Sequence, residues 1–286
     1  LTPRTHVRRH VSGGTVSLEA GVATVSRLTG GASISWGGEV TKIRRSQQAF
    51  GLITLRSKFP KVIVPISNTL LRRGGPRIQN MIRFDTLRSM ALGEDEQFLF
   101  GEGTEHRPKG LFEYCLPSHK FAANGTLSLD NVTADLGKLV LALEEANVGM
   151  TNPFWSLAPR TKQALATVRI PNGPFAFRDE LLQGRLWGWP VESTTQVPTN
   201  LGDDEDESVI MLTDGDEIAL GQGMSLQVAL SEEAVIVDDD GTIHSAFQQD
   251  MTFMRVINEV DLKPRHDEAI SALTGVTWAP GNIPNT

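Results

Sequence analysis

The feature that most constrains this 286-residue sequence is a first quarter that cannot build a core of its own. Residues 1–77 carry 13 Lys and Arg against only Glu19 and Glu39, a net of +11, whereas residues 78–286 hold 14 bases against 32 acids, a net of −18. Within 1–31, Val11, Val16, Leu18, Val22 and Val25 are too sparse among Thr, Ser, Gly and Arg to form a core. Such a stretch reads as an irregular arm, ordered only where it lies on a partner. Ala32–Trp36 and Phe50–Phe59 then read as two extended runs joined by a polar, basic stretch, a long hairpin with few apolar residues per face. A lone two-stranded hairpin is marginally stable, so this one is expected to lean on something else. A basic end of this kind suits nucleic acid or the acidic part of another copy of the chain.

The remaining residues look self-sufficient. At 31.2 kDa there is room for one large domain or two modest ones, with no need of disulfide staples. The single cysteine, Cys115, excludes an internal disulfide framework and a four-thiolate zinc site, and reads as a buried structural thiol. No apolar run approaches the roughly 18 residues of a membrane span. The basic residues near Leu1 are followed by no apolar segment, so they make no signal peptide, and the absence of a leading methionine suggests a processed or trimmed start. Val62–Ile66 reads as a strand. Ile78, Met81, Ile82, Met90, Leu92 and Phe98 recur at helical spacing from Pro76 to about Phe100, where Gly101 stops the run. A helix of that length spans about 36 Å. A second helix is expected from about Thr133 to Asn147, with Leu136, Leu139, Val140 and Leu143 on one face, and a third from Pro159. Beyond Arg169 come short strand-like runs at 186–194, 209–212, 217–220, 226–230 and 235–237, and a final run, Phe247–Leu262, that reads as strand. This order points to the α+β class.

Signatures of catalysis are missing. Glu94/Asp95/Glu96, Glu144/Glu145 and Glu232/Glu233 are adjacent acids, the pattern of a solvated surface. General acid–base work needs two acids in different environments, which adjacency does not supply. His6 and His10 share a four-residue spacing but lack a third metal ligand in this arm. Asp238-Asp-Asp-Gly-Thr fails as a calcium loop, since Ile236 would fall at the first position, and reads as a polar hairpin turn. Gly101-Glu-Gly-Thr-Glu-His and Gly221-Gln-Gly-Met-Ser-Leu lack the third glycine of a nucleotide loop, and no Gly-x-Ser-x-Gly elbow is present. Asn124-Gly-Thr and Asn131-Val-Thr match the glycosylation pattern but, with no secretory signal, read as turns. No catalytic residue, cofactor or metal is expected.

Trp36-Gly-Gly-Glu-Val, Glu94-Asp-Glu-Gln-Phe-Leu-Phe-Gly-Glu-Gly103, Ala158–Leu165 and Phe247–Thr252, read in order with the segments between them, resemble the major capsid protein of tailed bacteriophages, the Hong Kong 97-type fold. Trp36-Gly-Gly-Glu-Val, Phe50-Gly-Leu-Ile-Thr-Leu and Val64-Pro-Ile-Ser-Asn-Thr-Leu-Leu71 are similar to that family's extended loop and its return into a long spine helix. Glu94-Asp-Glu-Gln-Phe-Leu-Phe-Gly-Glu-Gly103 and Pro108-Lys-Gly-Leu111 resemble the end of that helix and the Gly-rich stretch after it. Ala158–Leu165, Phe177–Gly184 and Leu186–Val191 resemble the entry to its axial domain, and Phe247–Thr252, Arg255–Ile257 and Arg265–Ile270 its closing strand and tail.

The resemblance implies an arm at 1–31, an extended β-hairpin loop at 32–65, a peripheral domain with the spine helix at 66–150 and 245–266, and an axial domain at 151–244 and 267–286. It implies a non-enzymatic shell subunit of the virion, assembled in host cytoplasm into pentamers and hexamers around double-stranded DNA. A portal protein at one vertex and a cement or decoration protein are implied partners; a membrane is not. The arm and loop would lie across neighbouring copies through Arg8, Arg9, Trp36, Lys42, Arg44, Arg45 and Lys58. Some family members crosslink a loop Lys to an Asn near the closing strand, aided by a Glu. Here Asp250 and Ile257 stand at the expected Asn and Glu positions, which predicts no self-crosslinking despite Lys42 and Lys58 in the loop. An encapsulin-like cargo compartment and a cytosolic hydrolase are the alternatives.

Overall fold

Ser208–Asp214 is the strand about which the body is built, and all seven of its residues are buried. Its side chains alternate as a pleated strand requires, with Val209 and Met211 in one apolar cluster and Ile210 and Leu212 in another on the opposite face. A strand covered on both faces has no polar alternation, which is why Val209-Ile-Met-Leu is a continuous apolar run. The computed structural model describes residues 5–32, 34, 36, 42, 45–224, 226–238 and 240–280. The strand lies within a mixed six-stranded sheet, in spatial order Lys120–Ala122, Ile270–Val276, Ser208–Asp214, Pro153–Leu157, Trp189–Ser193 and Arg185–Leu186.

One face of that sheet is covered by the helix Leu129–Glu145, whose Val132, Leu136, Leu139 and Leu143 form a fully buried stripe. The helix begins ahead of the expected Thr133 because Ser128 caps it, its hydroxyl accepting from the Asn131 N–H at 3.2 Å. Asn131, read as a turn residue, therefore lies in the first helical turn. The helix Pro159–Thr167 starts at its proline as expected and adds Ala164 and Leu165 to the same core. The other face receives Phe98, Leu99, Leu111 and Phe154.

Phe98 and Leu99 belong to a long helix, Asn68–Phe100, broken at Gly75, where φ is 57° and ψ −158°. Pro76 imposes this break: it lacks an N–H and disfavours α geometry in the residue before it. The segment after the break is the expected helix from Pro76 to Phe100, closed by the Gly101 N–H on the Gln97 carbonyl at 2.9 Å. The short turn of helix before it, Asn68–Gly74, leaves no apolar period to read. Beside the long helix lies a three-stranded sheet, in the order Gln227–Ser231, Met251–Ile257, Lys61–Ser67, sharing the core of Ile66, Met90, Met254 and Val256.

The final run is strand only from Met251 on, since 247–250 form a turn with Asp250 at φ 49°, and it is two strands in two sheets. Met251–Ile257 joins the sheet just named, while Val260–Pro264 pairs with Ile218–Gln222. The chain breaks at Asn258 and Glu259, whose side chains are used elsewhere: the Asn258 amide donates to Glu94 at 2.6 Å, and Glu259 accepts the Met224 N–H at 3.0 Å.

The arm departs most from the sequence reading. It contains the helix His6–His10, a strand Thr15–Ser17 parallel to Leu220–Gln222, and a strand Val22–Gly30 antiparallel to Ala49–Arg56. The hairpin therefore uses Val22–Gly30, not Ala32–Trp36, as its first strand. The few apolar residues of this region suffice because the body supplies the rest of the core. Val7 packs in the cluster of Phe98 and Phe154, and Leu18, Ala23, Ile53 and Leu55 close around Ala219. Gly215 permits the approach, since a Cβ there would sit 1.9 Å from the His10 carbonyl oxygen.

Candidate functional site

The arm helix His6–His10 meets three carboxylates of its own body. Asp95 accepts the first two N–H groups of the arm helix, from His6 at 2.9 Å and from Val7 at 3.1 Å, so one side chain satisfies two donors that a helix start leaves open. Thr5, fully buried, accepts the Arg8 N–H at 3.0 Å. Arg8 then turns inward, placing Nη2 2.8 Å from Glu94 Oε2 and its guanidinium carbon 5.9 Å from the centre of the Phe98 ring. Burial pushes the Glu94 and Asp95 carboxyls above their ordinary values; Arg8 opposes this at Glu94, and the two N–H donors oppose it at Asp95.

These acids were expected on a solvated surface, and that expectation fails. Glu94 and Asp95 are 3% and 1% exposed, and of the three only Glu96 faces solvent. The signal lies in the helical period: Met90, Glu94 and Phe98 follow one row, and Ala91, Asp95 and Leu99 the next, so both acids interrupt the apolar stripe. A charge on a buried stripe calls for a partner, and the arm brings it.

The third carboxylate, Glu192, gathers both arm histidines. His6 Nδ1 lies 2.5 Å and His10 Nε2 2.8 Å from its oxygens, Arg9 Nη1 lies 3.4 Å away, and the His10 ring stacks on Phe154 at 4.8 Å. Burial alone would raise the Glu192 carboxyl, but the bonds from His10 and His6 and the charges of His6 and Arg9 outweigh it and hold the group at about 2. The same hydrogen bond raises His6 above its ordinary value against the effect of burial. Two histidines on one carboxylate make a hydrogen-bonded latch. Among the described residues, no group of three or more His, Cys, Asp or Glu is placed to hold a metal ion.

The hairpin is the reverse case. Its base packs on the body, but its outer half exposes Phe50 and Leu52, each 70% exposed, and beyond it Trp36 is 95% exposed. Lys42 and Arg45 are exposed on the same stretch, and Arg44 lies outside the described residues. Lys58 is engaged within the chain, its Nζ donating to the carbonyls of Thr104 and Glu105 at 3.0 and 2.5 Å. Asp250 accepts from the Asn68 amide at 3.0 Å and from Arg72 at 2.5 Å, tying the start of the long helix to the closing strand. Ile257 is a ladder residue between Lys61 and Gln227.

Other singled-out motifs resolve structurally. Residues 238 and 240–242 belong to the turn of a hairpin, Val235–Val237 with Ile243–Ser245, with Gly241 at φ 84°, and Asp239 lies outside the described residues. Cys115 is buried, and burial pushes its thiol up to about 12, too high for a nucleophile at neutral pH. No helix among the described residues is long and apolar enough to cross a membrane.

Residues 1–275 match the model of the phage capsid family. The chain is 32% identical over 284 residues to the major capsid protein of Klebsiella oxytoca phage phiKO2, covering 97% of this chain and 65% of that protein. It therefore spans about two thirds of that relative's length. Among solved structures, a chain of Mycobacterium phage Adephagia superposes with a TM-score of 0.74 at 14% identity, covering 96% of this chain and 90% of the other. The capsid of a native GTA particle computed with C5 symmetry gives 0.70 at 16% identity, covering 96% and 92%. At such identities the likeness is one of fold, and it agrees with the α+β, Hong Kong 97-type architecture read from the sequence. The family match across nearly the whole sequence and the identity to a capsid protein over almost all of this chain lead to one conclusion: the chain belongs to the phage capsid family.

Proposed function

We propose that this chain is the repeating subunit of an icosahedral virion shell, built from pentamers and hexamers around double-stranded DNA. The observation that carries the reading is the hairpin's outer half. Phe50, Leu52 and Trp36 stand in solvent beside exposed Lys42 and Arg45, and the described part of the chain covers none of them. Large apolar side chains clustered on a protruding element mark an interaction surface. The role is structural rather than catalytic. Arg8 and Arg9 are occupied inside the chain, so the reach to a neighbour falls to the loop. In this reading the peripheral domain is the long helix with its three-stranded sheet, and the axial domain is the six-stranded sheet with its helices; 227–231 and 120–145 each go with the sheet they join or pack on. A portal protein at one vertex completes the particle, and a cement protein is a compatible addition.

Size-exclusion chromatography and electron microscopy of the expressed chain test the reading. Shell-sized, symmetric particles are expected, and a monomer or dimer under all assembly conditions would overturn it. With Asp250 and Ile257 at the crosslinking positions, denaturing gels of particles should show a single band near 31 kDa, and ladders above it would overturn the non-covalent reading. Arg45→Ala should lower particle yield more than DNA content per particle; the reverse would assign Arg45 to DNA.

A further inference from the structure

The half of the long helix that follows the break turns an unpartnered face to solvent. Arg77, Met81, Phe84 and Arg88 recur at helical spacing along one side, and all four are exposed, Met81 at 61% and Phe84 at 70%. Residues 72–88 hold five Arg and one acid, Asp85, and Arg73, Arg77, Arg83 and Arg88 make no ion pair among the described residues. The stripe from Arg77 to Arg88 is about 16 Å long.

A second surface of the same chain has the opposite character. Residues 232–247 hold five acids and no Lys or Arg. On the hairpin they form, Val235, Val237, Ile243 and Phe247 are exposed, flanked by exposed Glu232, Glu233, Asp238 and Asp240. Both surfaces issue from one end of the three-stranded sheet. Ser231, before the hairpin, pairs with Phe253; Met251, after it, pairs with Ser67, and the helix starts at Asn68. No hydrogen bond or ion pair joins residues 232–247 to residues 72–88 among the described residues.

We propose that the acidic, apolar hairpin 232–247 of one subunit seats on the basic, apolar helix face 77–88 of a second copy. This rests on the shell reading above and names one of its contacts. The occupant follows from complementarity on two counts. Two guanidinium groups without an ion pair, Arg77 and Arg88, face an acidic hairpin, and Met81 and Phe84 face its exposed Val, Ile and Phe side chains. A bare phosphate backbone would satisfy the arginines but leave Met81 and Phe84 wet. A mixed surface, apolar at its centre and charged at its rim, is the anatomy of a protein interface. Because the two surfaces differ, the contact is heterologous, joining unlike faces of successive copies head to tail.

The decisive experiment mixes two variants, Phe84→Cys in one population and Val237→Cys in another, so that a disulfide between them can form only across copies. Co-assembled particles should give a dimer band on a non-reducing gel that neither variant gives alone. Particles that form normally and show no such band would overturn the proposal. In parallel, Arg77→Glu with Arg88→Glu should cut particle yield roughly tenfold, and adding Glu232→Arg with Glu233→Arg should restore most of it. If the arginine variants assemble like wild type but carry less DNA, the face belongs to nucleic acid and the proposal fails. All these residues are exposed, so thermal unfolding of the unassembled variants should match wild type. Wild-type chain assayed alongside separates the two failures: no particles from wild type sinks the shell reading itself.

Discussion

The arm and the hairpin are both basic and both poor in apolar residues, yet the chain treats them in opposite ways. Arm residues 5–12 are drawn into the body, where Arg8, His6, His10 and two backbone N–H groups meet three partly or wholly buried carboxylates. The outer hairpin keeps its charges and aromatic side chains in solvent. The difference teaches that net charge alone does not say where a basic segment goes. What decides is whether a complementary acid sits on a surface that apolar contacts can close over. The arm has Val7 to enter the core beside Phe98, and the outer hairpin has no such anchor.

The largest effect should come from breaking the arm's buried pair. Arg8→Ala leaves Glu94 charged and uncompensated beneath the arm, and should cost about 3–5 kcal/mol in denaturant unfolding. A loss under 1 kcal/mol would mean that the arm is not held as described. Next is the base of the hairpin against its tip. Leu55→Ala empties a fully buried position and should cost roughly 2–4 kcal/mol, whereas Leu52→Ala should leave monomer stability within about 0.5 kcal/mol while lowering particle yield. Equal losses at both sites would erase the distinction between anchored and projecting halves.

The histidine latch predicts a smaller effect with a definite sign. Glu192 is held at about 2 against an ordinary 4.5, so its contribution is present above pH 4.5 and lost as pH falls towards 2. His6 is raised from 6.5, so its contribution is complete below pH 6.5 and lost as pH rises through the raised value. Arm docking should therefore be firmest between pH 4.5 and 6.5. Tryptic cleavage at Arg9, slowest in that window and with the Glu192 and His6 share of its pH dependence removed by Glu192→Gln, is the measurement. The smallest effect is expected at Trp36→Ala, which should leave the subunit's unfolding midpoint unchanged and alter only assembly.

Local pattern made much of this legible. Pro76 and Gly101 bracket the helix they were expected to bracket, the continuous apolar run at 209–212 is a central strand, and the ordered motifs led to the right fold family. The hairpin's first strand was misplaced because Val22–Gly30 alternates only weakly; its inward residues, Ala23 and Val25, are small and take their burial from Leu18 and Ala219. The carboxylate site was missed at Glu94 and Asp95 because adjacency suggested solvent while their helical period placed them on the buried stripe. Glu192 carries no local mark at all, since the residues that give it meaning lie more than 180 positions away.

The sequence by itself determined the fold class, the long helix from Pro76 to Phe100, and a charge polarity of +11 against −18 that offers basic surfaces acidic ones to meet. Only the tertiary structure decided which of those meetings happen within one chain. Asp95 and Glu94 can bind the arm because packing places them, desolvated, beneath Val7 and Arg8. The helix face at 77–88 and the hairpin at 232–247 stay apart because one sheet carries both and turns them to solvent, where a charge stays hydrated until a second copy displaces the water.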